Sequence, residues 1–331
     1  MLNASASLVL SLSGFSFSAP QRALLFCCVL LWYLLIVAAN VILVALVAAH
    51  RALHAPMYVF MCSLCVNTLY GTLGFYPKFL WDLLRCGAAC SVSYGACLLQ
   101  GYVIHSSMCG EFSVLTLMAY DRYVAICRPL SYRAEMTRSR VLLLLLLSWL
   151  VPLLAMFLNT ATVMGRALCG VRIQRLYCVN WMVTRLTCEL PLENVAVVYF
   201  NMIFYFAHFL LVLGSYVCVL RACVNSRDSS ARFSNTCVPH LVSLVSFTAS
   251  VLLDLLYMRF GSAHISQHAA NFFTIEFLLV PPLLNPLIYG LKLSKVRHAL
   301  TLMLRLQDKA EGRGPQGRGS EGRGPQGRAV E

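Results

Sequence analysis

Seven apolar runs, each near or above the ~20 residues that cross a bilayer core, constrain this chain more than any other feature. They run from Ala23 to Ala49, Pro56 to Leu80, Gly95 to Tyr120, Val141 to Met164, Asn194 to Leu220, Val238 to Met258 and Ala270 to Leu291. Backbone in hydrocarbon has no water to bond to, so each run must satisfy its own N–H and C=O groups as a helix. Seven such runs predict an all-α membrane protein, a seven-transmembrane-helix bundle over 23–291 preceded by an outer N-terminal segment, 1–22. Composition agrees: of 331 residues, 59% are hydrophobic and 12% charged, and the mean hydropathy of +0.73 excludes an ordinary soluble globule. The N-terminus lacks a basic stretch followed by a short apolar core and a cleavage site. The expectation is therefore that no signal peptide is removed and that the first helix inserts itself.

The third run ends in Asp121-Arg122-Tyr123, within MAYDRYVAICRPLSY from Met118 to Tyr132. A charge pair at the end of a membrane helix belongs at the bilayer surface, within reach of a soluble partner. Counting Lys and Arg near the helix ends gives thirteen on the Arg122 side and eight on the other, so the bias of basic residues toward the cytoplasm puts the N-terminus outside and the C-terminus inside. Asn3-Ala4-Ser5 is an N-glycosylation acceptor and fits the same orientation. The formal charge of +13 then reads as a cytoplasmic surface facing anionic lipid and a protein partner, with no call for nucleic acid.

Cys97 precedes Arg122 by 25 residues, about 37 Å along a helix, which exceeds the ~30 Å hydrocarbon thickness and puts Cys97 outside. Cys169, Cys178 and Cys188 lie in the loop after the fourth run, on the same oxidising side. Four cysteines allow three pairings, and spacing does not choose among them. Most of the other cysteines sit in the apolar runs as small buried residues, and no His and Cys spacing suggests a metal site.

The fifteen residues from Met118 resemble the signature that closes the third helix of rhodopsin-like G-protein-coupled receptors, in the wording of odorant receptors. The resemblance extends from about Leu24 to Leu306: LHAPMY at Leu53 to Tyr58, the pair Ser215-Tyr216, and PPLLNPLIYGLK from Pro281 to Lys292. The stretch Asn67 to Leu84 looks like the fish-type branch, and ARFSNTCVPHL at Ala231 to Leu241 follows the family pattern only in part. The resemblance implies disulfides joining Cys97 with Cys178 and Cys169 with Cys188. It also implies binding of a small-molecule odorant and activation of a stimulatory heterotrimeric G protein that raises cyclic AMP in olfactory cilia. Asp121, Arg122, Tyr123, Tyr216, Asn285, Pro286 and Tyr289 would carry activation and coupling. Asp121 would restrain Arg122 at rest, and the segment around Pro286 would rearrange to bring Tyr289 and Tyr216 toward that arginine.

Individual residues add expectations. Pro286 removes a backbone donor, and Asn285 and Tyr289 are placed to help satisfy the freed carbonyl. Glu111 lies three turns before Arg122 on nearly the same face, hence deep in the bundle, where an acid costs roughly 2.5 to 3.5 kcal/mol. Odorant receptors commonly pair this acid with another in the second helix, a sodium site, whereas the matching position here is Thr68. Glu111 is expected to bond Thr68 or a water near Asn285, with sodium binding weakened or lost. The ligand set comprises Gly101, Ile104, His105 and Met108 on one face of the third helix. To these the fifth helix adds Phe200, Asn201, Phe204 and Tyr205, the sixth Thr248, Val251, Leu252 and Leu255, and the seventh Asn271, Ile275 and Leu278. Ile104 stands where amine receptors carry an aspartate, so amine recognition by that route is not expected; Glu276 or Asp254 could supply a charge instead, the alternative being that both only face the outer water.

After the seventh run, Leu293, Val296, Leu300, Met303 and Leu304 recur among basic residues as a short amphipathic helix over 292–308 on the cytoplasmic leaflet. No cysteine follows for palmitoylation. The repeat EGRGPQGR, in a tail over 309–331, has no apolar residues and predicts disorder. No cofactor and no catalytic constellation are expected. Two alternative classes share parts of this pattern. A non-olfactory rhodopsin-like receptor would keep the same mechanism. A transporter or channel would need paired repeats or broken midplane helices, and neither is present.

Overall fold

Helix α1 (Ala19–Ala49) opens with Pro20 in its first turn, where a missing N–H costs nothing, and with Gln21 Oε1 accepting from the Ser18 backbone N–H at 2.9 Å. The computed structural model describes residues 8–13, 17–85, 89–224, 237–260 and 267–310. Strand β1 (Val9–Ser13) precedes α1; α2 (Pro56–Arg85), β2 (Ala89–Ser93) and α3 (Tyr94–Cys127) follow, and a single turn, α4 (Tyr132–Glu135), leads into α5 (Arg138–Ala161). Beyond it come β3 (Arg172–Ile173), α6 (Asn180–Leu186), α7 (Leu192–Val224), α8 (Val238–Phe260), α9 (Gln267–Lys292) and α10 (Ser294–Ala310). The seven long helices are α1, α2, α3, α5, α7, α8 and α9. The shortest, α8, has 23 residues, about 34 Å of helix and enough for a bilayer core. By length and apolar composition alone α1, α2, α5 and α7 suffice as spans.

The packing is inverted relative to a soluble bundle. Outward positions carry leucine, among them Leu24, Leu31, Leu142 and Leu211, while Asn40, Asn67, Glu111, Asp121 and Asn285 are buried inside. That arrangement suits a solvent of lipid tails, in which polar groups find partners only within the protein. Helix α3 is the hub, touching α2, α5, α7 and α8. Close approach to α2 requires small residues: a Cβ on Gly71 would lie 2.2 Å from Ser107 Oγ, and one on Gly110 would lie 2.8 Å from Asn67 Oδ1.

Prolines tie α9 to its neighbours. Pro286 and Pro282 each deprive the carbonyl four residues earlier of its helical donor. Asn40 Nδ2 on α1 donates to the Pro282 carbonyl at 3.0 Å, and Tyr76 Oη on α2 donates to that of Leu278 at 3.1 Å. The expectation that Asn285 and Tyr289 would satisfy the Pro286 gap is thereby corrected. A side chain on an adjacent helix reaches the carbonyl, while Asn285 faces the other way.

A second departure from the sequence reading lies at the disulfide end, where the first 22 residues were expected to be plain outer segment. Strand β1 pairs antiparallel with β2, Leu10 opposite Val92 and Leu12 opposite Cys90, and parallel with β3, giving the order β2-β1-β3. Alternation buries Leu10 and Leu12 against Val92, Tyr94, Leu168 and Ile173. Helix α10 forms as expected, bent 89° from α9, with Val296 and Ala299 packed into the bundle. The repeat-bearing tail after it lies outside the described residues.

Candidate functional site

At one end of the bundle, α3 delivers Asp121 and Arg122 to the point where α2, α8 and α9 converge. Arg122 forms an ion pair with Asp121, Nε donating to Oδ2 at 3.0 Å. The Tyr132 hydroxyl on α4 donates to Asp121 Oδ1 at 2.8 Å. Burial and, secondarily, the Asp121 carboxylate push the Tyr132 phenol well above its usual range, so it remains a proton donor. Asp121 is thus fully enclosed, with a donor on each oxygen. A narrow pocket, little larger than a water molecule, opens beside the guanidinium, lined by Met57, Met61, Met118, Arg122, His240, Tyr289 and Leu293. Among the described residues, Tyr216 on α7 makes no hydrogen bond to Arg122, although it lies within electrostatic reach of it. Its hydroxyl meets His240 Nδ1 on α8, and the two rings stack 5.7 Å apart. His240 is therefore the link between Tyr216 and the arginine cavity, and it was missed in the sequence. The available signal was an ionisable residue near the start of an apolar membrane run, a rare placement that marks function. Tyr123 packs against the central core, with the Arg128 guanidinium 5.7 Å from the centre of its ring.

Midway along the bundle, Glu111 Oε1 accepts from Asn285 Nδ2 at 2.9 Å. Thr68 Oγ1 is buried without a hydrogen-bonding partner among the described residues. The expected Thr68 bond is corrected: the α9 amide lies within reach of the carboxyl, and the α2 hydroxyl does not. No group of three His, Cys, Asp or Glu capable of holding a metal occurs among the described residues.

The other end carries both expected disulfides, Cys97–Cys178 and Cys169–Cys188. Between it and Glu111 the proposed ligand set divides. Ile104 packs under the loop with Phe75, Tyr177, Phe277 and Leu278. His105 Nδ1 contacts the Gly101 carbonyl at 2.7 Å; a carbonyl only accepts, so Nδ1 carries the proton. Met108 and Val251 border the central core. Asn201 is buried, and its Nδ2, like Thr248 Oγ1 and Glu276 Oε2, has no hydrogen-bonding partner among the described residues. Such groups inside an apolar lining are the polar anchors that a small-molecule site provides. The Tyr205 ring meets Phe112 edge-on at 6.3 Å, Phe112 lies 6.3 Å from Phe247, and Phe204 abuts Tyr205 at 5.3 Å. Ile275 sits beside Leu278 in the same cluster.

Three members of that set need correction. Phe200 and Leu252 are 68% and 50% exposed on the outer, lipid-facing surface, because their helices are rotated to present Asn201 and Val251 inward. Gly101 lines no open space: a Cβ there would lie 2.4 Å from Asn180 Oδ1 and 3.4 Å from the Cys178 carbonyl. Its role is to admit the loop. Asn3 lies outside the described residues, as do the side chains of Leu255 and Asn271.

Asp254, expected either to offer a ligand its charge or to face outer water, is buried and paired within the protein. Arg175, in the loop three residues before Cys178, is 2% exposed and donates from Nη1 to Asp254 Oδ1 at 2.6 Å. The sequence offered no partner, because the loop and α8 are 79 residues apart and only the disulfide-anchored fold brings them together. Beside them, burial and then the Asp254 charge push the Tyr177 phenol well above its ordinary range.

Comparison with known proteins agrees with this geometry. The family model for olfactory receptors matches residues 26–307. Olfactory receptor 1D2 of Pan troglodytes is 31% identical over 297 residues, covering 88% of this chain and 93% of the relative. Olfactory receptor 6B1 of Homo sapiens is 33% identical over 292 residues, covering 87% and 92%. The crystal structure of squid rhodopsin superposes with a TM-score of 0.67 at 15% identity, over 90% of this chain and 89% of that one; this likeness concerns the fold alone. Multi-pass, seven-helical and without the machinery of an enzyme, the chain belongs to the olfactory receptor family of G-protein-coupled receptors.

Proposed function

We propose that this chain is an odorant receptor that binds a small organic molecule between Ile104, Asn201, Thr248 and Ile275 and activates a stimulatory, cyclic-AMP-raising G protein at its Arg122 end. The disulfide end faces the exterior and the Arg122 end the cytosol, in the plasma membrane of olfactory cilia. Disulfides persist on the outer side, and basic residues predominate at the other. Residues Asn67 to Leu84 support a place in the fish-type branch.

The observation that carries this reading is the cavity shared by Arg122, His240 and Tyr289, with Arg122 held on Asp121. A ligand shifts a conformational equilibrium only by its differential affinity for the two states. Ligand contacts on α7, α8 and α9 would favour a state in which these helices part around Arg122. The arginine would then exchange Asp121 for the partner, with Tyr216 and Tyr289 lining the opening. Arg122→Ala should leave surface density unchanged and abolish odorant-evoked cyclic AMP in transfected cells. Full signalling by that variant would refute the assignment.

A further inference from the structure

We propose that Arg175 and Asp254 are positioning residues of activation: their buried pair ties α8 to the disulfide-pinned loop and so holds the Arg122 end closed until ligand binds. This role rests on the proposed parting of α8 from Arg122.

The pair lies where the loop, α3 and α8 meet. Arg175 precedes Cys178 by three residues, and the Cys97–Cys178 disulfide pins that part of the loop to α3. Arg175 Nη1 donates to Asp254 Oδ1 at 2.6 Å, and the two residues are 2% and 8% exposed. His105 on α3 lies within electrostatic reach of both charges, as does Tyr177 in the loop. Asp254 follows His240 by 14 residues on the same helix, about 21 Å along its axis. One helix therefore carries Asp254 at the disulfide end and His240 in the Arg122 pocket. Arg122 itself belongs to α3, so α8 is held against the α3-and-loop unit at both of its ends.

A stiff helix displaced at its inner end also shifts or turns at its outer end relative to the fixed loop. Hydrogen bonds weaken steeply when stretched or misaligned, and charges this enclosed have no water to replace a lost partner. Parting them leaves each uncompensated. The pair is made in the state in which Arg122 rests on Asp121. It therefore favours that closed state, and a ligand must outweigh it through higher affinity for the open one.

The test removes the tie without stranding a charge. Replacing Asp254 alone would leave Arg175 to its further interaction or to Glu276 on α9, whose Oε2 has no hydrogen-bonding partner among the described residues. The double variant Arg175→Met with Asp254→Leu deletes both charges, a change that buried ion pairs commonly tolerate. Full-length receptor is then followed by ligand-free cyclic AMP per receptor at the cell surface. In isolated membranes, modification of Cys237 by N-ethylmaleimide is followed by peptide mass spectrometry. Cys237 directly precedes α8, is fully buried and lies within electrostatic reach of Arg122, so it reports opening of that end. Cys65, buried in α2, reports loosening of the whole bundle.

In the double variant, cyclic AMP and Cys237 modification should both rise at least about fivefold, the low end of coupling between distant sites, with Cys65 unchanged. Exchanging the charges, Arg175→Asp with Asp254→Arg, should bring both back toward wild type. Unchanged Cys237 modification in the double variant, or an equal rise in the exchanged one, would overturn the tie. So would parallel modification of Cys237 and Cys65, which marks a pair that only stabilises the fold. The same labelling in microsomes decides between these outcomes for a variant that is retained inside the cell. Faster Cys237 modification without a rise in cyclic AMP, at normal surface density, would uphold the tie and overturn instead the assignment of the Arg122 end to G-protein coupling.

Discussion

At the scale of single residues, several polar groups of the interior bond one another, and the loss of such a partner has a sign. Glu111 holds Asn285 across the bundle at 2.9 Å. Glu111→Gln keeps an acceptor oxygen and should preserve that bond, whereas Glu111→Leu strands a buried amide donor, at about 1–3 kcal/mol. The leucine variant should therefore lose heat stability relative to the glutamine variant, measured as retained fold after heating detergent-solubilised receptor. With Thr68 in place of a second acid, replacing sodium by choline should leave wild-type activation unchanged. A sodium-dependent shift abolished by Glu111→Gln would contradict this. The residue Glu111 was legible as a deep acid from its spacing to Arg122 alone. Its partner was not, because choosing between Thr68 and Asn285 depends on how α2 and α9 are rotated about their axes, which no single helix encodes. The same holds for Phe200 and Leu252, adjacent to inward-facing residues yet turned to lipid.

At the scale of elements, helix α9 is built around missing hydrogen bonds. Pro282 and Pro286 leave carbonyls that Tyr76 and Asn40 satisfy from α2 and α1, so the kinked helix is held by its neighbours. Asn40→Leu should destabilise the receptor by about 1–3 kcal/mol. Pro286→Ala restores an N–H for the Pro282 carbonyl and should remove most of that penalty. A double-mutant cycle on thermal inactivation of the solubilised receptor reads the coupling; additive effects would show that Asn40 stabilises by other means. The helices themselves were evident from their apolar length. Boundaries were less so: α3 continues seven residues past the expected Tyr120, to Cys127, because Asp121 finds partners in Arg122 and Tyr132 and so need not end the helix at the membrane surface.

At the scale of the whole molecule, the disulfide end is closed by a sheet that draws on three distant parts of the chain. Burying Leu10 and Leu12 contributes about 1.5–3 kcal/mol each, and a one-residue slip would expose both. Leu12→Asp should therefore lose amide protection in Ala89–Ser93 and Arg172–Ile173 together, measured by hydrogen exchange; loss confined to β1 would mean that the other strands stand without it. The alternation in Leu8 to Ser13 was present in the sequence, but six residues cannot name the strands they join. What the sequence determined by itself was the bundle: apolar length fixes the number of spans, and one unbroken motif identifies the Arg122 end, since both are local properties written in consecutive residues. What only the tertiary structure decided was pairing: His240 with Tyr216, Asn40 with the Pro282 carbonyl, Arg175 with Asp254. These contacts join residues far apart in the chain through helix rotation and loop placement, and packing of the whole bundle sets both.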